Sequence, residues 1–180
     1  VSGTPERDQL WYWMPLGPFT TLQQFKDLIK MRSNAPDYLM FTVIDLASKK
    51  VCGSLSFLNC VPNDRRTEIG SVVITPEFQG KASTAVSEAV FLMCQYAFEV
   101  LKYKRVEWKA DAQNIKSTET AKKLGFTYEG IFRNHMNVKG RNRNTAWYSI
   151  TNEEWFSHSK AQMNARIAEK AANQFVASKL

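Results

Sequence analysis

The chain has 180 residues, 24 basic and 17 acidic side chains, a net charge of +7 and 44% apolar residues, enough for one domain that buries about 70% of its unfolded surface without disulfides. No apolar run approaches the roughly 20 residues of a membrane span, and no signal-peptide pattern opens the chain, so membrane partners are excluded. Cys52, Cys60 and Cys94 are odd in number and sit in apolar strand-like or helical patterns, as expected for reduced core thiols in a soluble, cytoplasmic protein.

Residues 1–9, VSGTPERDQ, precede an aromatic segment LWYW that starts at Leu10. After Gly17-Pro18, Thr21-x-x-Gln24 is a capping-box pattern, and Leu22, Phe25, Leu28 and Ile29 form an apolar helical face behind it. Residues 38–46 read as a strand, 47–50 as a turn and 51–60 as the next strand. Pro62-Asn63-Asp64 then turns the chain into a third strand at 67–74, completing an antiparallel meander. That strand carries Ile69, Val72, Val73 and Ile74 and stops at Thr75-Pro76, where proline ends the ladder.

A small, polar turn of Gln79, Gly80, Lys81, Ala82, Ser83 and Thr84 leads into a helix over 84–101, whose stripe is Val86, Val90, Met93, Ala97 and Leu101. A helix N-terminus at a strand's end collects unpaired N–H groups and suits a phosphate; a capped connector is the other reading. A strand over 104–112, a helix over 117–124 and a hairpin through 139–144 follow. This alternation implies a mixed α/β sheet flanked by helices. The alanine-rich residues 152–180 carry Phe156, Met163, Ile167 and Phe175 in loose helical register. They are expected to pack on the domain, or on a second copy in a homodimer, or to lose structure beyond about Ala168. The organisation is thus a domain at 1–155 and a helix or tail at 156–180.

Lys139, Arg141 and Arg143 crowd one turn, and Lys102, Lys104 and Arg105 another. The basic residues are nevertheless scattered through regular elements, and the aromatic residues follow their periodicity instead of forming an exposed stacking platform. Nucleic acid is therefore a poor principal ligand, and a basic RNA- or ribosome-binding domain is the third functional reading. A polyanionic cofactor or an acidic partner surface uses the charge better.

The order Asn114-x-x-Ser117, Leu124-Gly125-Phe126, Glu129-Gly130 and Lys139-Gly140-Arg141-Asn142-Arg143 before an aromatic strand resembles the GNAT superfamily of acetyl-CoA-dependent N-acetyltransferases. Within it, residues 10–155 look like the branch of the ribosomal-protein N-terminal acetyltransferases RimJ and RimL. The resemblance implies a mixed, mostly antiparallel sheet whose central strands splay apart. The family begins with a strand and helix before the LWYW-like segment; here the first strand is expected to be missing, the chain being a fragment or a variant, which leaves one sheet edge open or covered by something else.

By the same resemblance the cosubstrate is acetyl-CoA, with no metal. Val72 and Ile74 would offer main chain to the pantetheine and thioester, and a backbone N–H near Val73 would serve the oxyanion. Gln79, Gly80, Lys81, Ala82, Ser83 and Thr84 would hold the pyrophosphate, although Ala82 and Thr84 stand where the family has glycines. Asn114 would bind the pantetheine. Ser117 would donate a proton to the sulfur or position it, unless it is only a helix N-cap. The tyrosine that many relatives carry seven residues after the asparagine is Ala121 here. For a base, Glu68 acting through a water and His135 are the candidates. Glu129 and Asp111 stand nearby, and the glutamate of related enzymes falls at Met136. At pH 7 an α-amine loses its proton for roughly 1–1.4 kcal/mol and a lysine for about 4.6 kcal/mol, so a weak base favours low-pKa amines. The implied activity is acetyl transfer to a primary amine, on a protein N-terminus or a small molecule, in a ternary complex. The alternative is a catalytically silent CoA-binding module.

Overall fold

A computed structural model describes residues 4–80 and 84–177 of the chain. Lys81, Ala82 and Ser83, three of the expected phosphate-loop residues, lie outside the described residues. The elements run α1 (Pro5–Gln9), α2 (Leu22–Ser33), β1 (Leu39–Ile44), β2 (Val51–Val61), β3 (Arg66–Ile74), α3 (Ala85–Gln95), β4 (Arg105–Asp111), α4 (Ile115–Lys123), β5 (Thr127–Val138), β6 (Arg141–Thr151), α5 (Asn152–Glu154) and α6 (Lys160–Ala177).

One six-stranded sheet of order β1-β2-β3-β4-β6-β5 results, antiparallel except at β3·β4. The expected meander is β1, β2 and β3. Alternation puts Val106, Trp108 and Ala110 of β4 on the face covered by α3 and α4, and Arg105, Glu107, Lys109 and Asp111 on the other. The core between sheet and helices gathers Leu55, Phe57, Ile69, Val90, Phe98, Val106, Trp108, Ala121, Leu124, Trp155 and Met163. The capping box at Thr21 and Gln24 is present. β1 pairs only with β2 among the described residues and exposes Leu39, Phe41 and Ile44.

The long helix departs from expectation at its end. α3 stops at Gln95 and continues as a π turn over Tyr96–Val100, and a second π turn over Trp155–Ser159 joins α5 to α6. The two meet: Trp155 stacks on Phe98 at 5.4 Å and donates from Nε1 to Glu99 at 3.0 Å. The extra residue in each turn keeps these aromatic side chains on the buried stripe. The segment after Ala168 is helical through Ala177, in place of the unstructured alternative, and Met163 anchors α6 in the same core as the sheet.

Candidate active site

The cleft begins as a failure of strand pairing. β3 and β4 are paired only at Arg66↔Arg105, Thr67↔Val106 and Glu68↔Glu107, after which they part. On its other side β3 stays on β2, but the register slips between Ser54↔Val73 and Ser56↔Gly70, with Ser71 at a positive φ of 50°. This bulge bends β3 away from β4. The parted strands bound a groove of about 1840 Å³, walled by β3, β4, α4, the N-terminus of α3, α6, the β5–β6 hairpin and the aromatic segment before α2.

The ladder decides which main-chain groups face that groove. Thr75 N–H donates to Cys52 C=O at 2.8 Å, and Val73 stands opposite Ser54. A Cβ built on Gly53 would lie 2.0 Å from the Val73 carbonyl oxygen, so that carbonyl points at β2. By alternation the main chain of Val72 and Ile74 turns the other way, toward the opening. Of the N–H groups near Val73 expected to serve the oxyanion, that of Val73 itself faces β2. Gln79 also differs from expectation: its Nε2 donates to Ile74 C=O at 2.6 Å and its Oε1 accepts from Lys116 Nζ at 3.0 Å. Its side chain braces β3 against α4. Gly80, with φ of 135° and nothing within 4 Å of a built Cβ, is open to the groove, and Thr84 precedes α3 without a side-chain cap.

Past the open end of β4, Asn114 caps α4 by accepting from Ser117 N–H at 3.2 Å. The N-cap is thus Asn114, not Ser117, which sits in the first turn. Ser117 Oγ accepts from Trp108 Nε1 at 3.0 Å. Indole N–H is a donor only, so the serine keeps its own proton for another acceptor. Ala121 is fully buried, which leaves no room there for the tyrosine of other relatives. Lys116, Lys123, Arg166 and Lys170 line the groove with Gly80; Lys116 holds Gln79, and Lys170 Nζ lies 3.4 Å from Ser87 Oγ in the first turn of α3. These cations lie on α4 and α6 and carried no signal in the loop motif itself.

The other end of the groove holds the remaining candidates. Glu68 is buried beside Gly70, and its Oε2 takes Asn59 Nδ2 at 2.7 Å and Lys109 Nζ at 2.9 Å. Burial raises the Glu68 carboxyl above the usual carboxylate range, against the opposing pull of Lys109 and Asn59. Burial also works against charge on Glu107, but Arg105 and Lys109 override it and hold that carboxyl low. His135 lies on a two-residue bulge of β5, exposed, with Nδ1 2.9 Å from Thr145 Oγ1. Arg143 Nε donates to the same hydroxyl at 3.0 Å. Asp111 lines the groove, whereas Glu129 is turned outside it, forked onto Arg105 (2.6 Å between Nη2 and Oε2) and bonded by Ser149. Glu129 is thereby removed from the base candidates.

The basic turn after β5 closes this end. Arg141 sits 4.3 Å from the Tyr12 ring and 5.1 Å from that of Trp13 and donates to Tyr12 C=O at 3.1 Å, while Lys139 donates to Trp11 C=O at 2.6 Å. These contacts hold the aromatic segment against the groove through cation–π attraction and charge-assisted hydrogen bonds. Among the described residues no group of His, Cys, Asp or Glu is arranged to hold a metal, and no helix is long and apolar enough to cross a membrane.

The acetyltransferase (GNAT) domain family matches residues 4–127 of the chain. The chain belongs to the GNAT acetyltransferase family. As a GNAT domain it falls in the class of acetyl-CoA-dependent N-acetyltransferases. A GCN5-related N-acetyltransferase from Brucella melitensis superposes with a TM-score of 0.84 at 38% identity, over 91% of this chain and 73% of that one. The spermidine N(1)-acetyltransferase of Escherichia coli (strain K12) is 27% identical over 149 residues, 83% of this chain and 77% of that protein. YdaF of Bacillus subtilis (strain 168) is 34% identical over 105 residues; that match spans 58% of this chain and 56% of YdaF.

Proposed function

We propose that this GNAT domain transfers the acetyl group of acetyl-CoA to a primary amine, by direct attack while both substrates are bound. The observation that carries it is the β3·β4 ladder that opens after Glu68↔Glu107 into a groove with cations at one end and a buried carboxylate at the other. Bound acetyl-CoA supplies an activated thioester, and the residues fit it. Val72 and Ile74 turn main chain into the opening, and Lys116, Lys123 and Arg166 line the groove with Gly80, where a diphosphate would lie. Hydrogen bonds to an ionic phosphate are worth about 1.5–3 kcal/mol each.

In this mechanism Val72, in place of Val73, donates its N–H to the carbonyl oxygen as negative charge develops there. Asn114 offers its amide N–H to the pantetheine while its oxygen caps α4. Ser117, fixed by Trp108, aims its proton at the departing sulfur. Glu68 draws the proton from the attacking amine through a water. Its raised pKa makes it a better base than an ordinary carboxylate. His135, held through Nδ1 by Thr145, also lines the groove and is the second candidate base.

The acceptor is a low-pKa amine, an α-amine of a protein N-terminus or a small amine, because one carboxylate acting through water favours an amine that costs roughly 1–1.4 kcal/mol to deprotonate over one that costs about 4.6 kcal/mol. An N-terminal substrate would place the protein in the RimJ/RimL-like branch. The likeness to a spermidine N(1)-acetyltransferase makes polyamines the competing class. Thiol release from acetyl-CoA with tripeptides bearing free N-termini and with spermidine distinguishes them, the peptides being expected to turn over faster. Acetyl-CoA should also raise Tm. Binding without thiol release from any amine would leave a silent CoA-binding module, and no binding would overturn the site.

A further inference from the structure

Glu68 and Glu107 are directly opposite each other in the last pair of the parallel ladder, and both are buried, at 6% and 5% exposure. Two neighbouring buried carboxylates resist joint ionisation. Lys109, two residues farther along β4 on the same face, sends Nζ to 2.9 Å from Oε2 of each, with its ammonium 4.0 Å from the centre of the Trp147 ring. Glu107 has a second cation, since Arg105 Nε lies 2.9 Å from its Oε1. Around Glu68 stand Lys109 and Glu107 from β4, the neutral donor Asn59 from β2, and Arg143 from β6 at longer range. Both close partners hold Oε2, so Oε1, beside Gly70, is the oxygen left for a ligand.

We infer that Lys109 is a positioning residue for the reaction: it is the counter-ion shared by Glu68 and Glu107 that keeps Glu68 charged where the strands begin to part and leaves its Oε1 toward the acceptor. This rests on Glu68 as the base. The same ammonium that anchors Glu68 is divided with Glu107, so the charge on either neighbour sets how strongly Glu68 is held. Lys109 occupies a place from which it acts on the base without touching the amine.

The test is a pH titration of protein carrying ¹³C-labelled glutamate carboxyls, followed by NMR, with the Glu68 resonance assigned by its loss in Glu68→Gln. Lys109→Met should raise the Glu68 midpoint by about 1–3 pH units, the usual effect of losing an opposite charge at this range. Glu107→Gln should move it the other way, because a like charge is lost and Lys109 is no longer shared, and Lys109→Arg should restore the wild-type midpoint. Acid limbs of kcat/KM for acetyl-CoA and a tripeptide should move with these midpoints. If Lys109→Met fails to fold, the same upward shift in Lys109→Gln decides. An unmoved Glu68 midpoint in the folded variants overturns the inference. Midpoints that move while the acid limb stays put support the Lys109–Glu68 coupling but overturn Glu68 as the base, which separates the two failures.

Discussion

The two flanks of β4 behave oppositely. Toward β6 it pairs without interruption from Arg105↔Thr151 to Asp111↔Thr145; toward β3 it pairs from Arg66↔Arg105 to Glu68↔Glu107 and stops. The closed flank satisfies its main chain within the sheet and carries no chemistry of its own. The open flank gives up ladder bonds and turns main chain into a groove, where an unmet polar group costs about 1–3 kcal/mol. A ligand with amide and phosphate groups recovers that cost, so the site is built from a local absence of structure more than from special side chains.

The most severe way to break the open flank is chemical. Glu68→Gln should lower kcat about 10²–10⁴-fold while acetyl-CoA affinity by calorimetry stays near wild type. In the wild type, activity should rise with pH through a midpoint above that of an ordinary glutamate, because burial favours the protonated form and the base works only once it is lost. A flat profile across that range removes Glu68 from the role.

The next way is mechanical. A Cβ at Gly53 collides with the Val73 carbonyl oxygen at 2.0 Å, so Gly53→Ala should destabilise the protein by about 2–4 kcal/mol in urea unfolding. It should also weaken acetyl-CoA binding, because it displaces the segment that carries Val72. Unchanged affinity in folded protein would detach that segment from the cofactor.

Ser117→Ala should lower kcat about 10–100-fold with a smaller change in KM for acetyl-CoA, and Trp108→Phe, which removes the donor that fixes the serine, should cost only a few-fold of that. Equal loss in kcat and affinity would make Ser117 a binding group alone. The smallest effect serves as the control. Thr21→Ala removes the cap of α2, outside the groove, and should cost about 0.5–2 kcal/mol of stability. Cofactor affinity should not change.

Much of this was legible because it is local. The capping box at Thr21 and Gln24 concerns residues three apart, and the β3 strand, turn and α3 follow from β-branched residues, Pro76 and helical spacing. Asn114 and Ser117 were found by resemblance, but their division of labour was not, since Asn114 takes the cap and frees Ser117 for Trp108. Which N–H near Val73 faces the groove was not legible, because the side a strand's N–H faces depends on its register with β2. Lys109, Trp108, Asn59 and the cations of α4 and α6 were missed for a related reason. Arg105, Glu107, Lys109 and Asp111 do alternate with apolar residues in β4, a readable sign of one polar face, yet nothing along the chain says which carboxylates that face will meet.

By itself the amino-acid sequence determined the order of strands and helices, the turn that ends β3 and the family resemblance, because periodicity, proline and capping act within a few residues. Only the tertiary structure decided where β3 leaves β4, that Glu68 and Glu107 share Lys109, and that Arg141 clasps Tyr12 and Trp13. These contacts join distant segments, and their energies depend on burial and on charge separations of a few ångströms that exist only once the sheet has closed on one side and opened on the other.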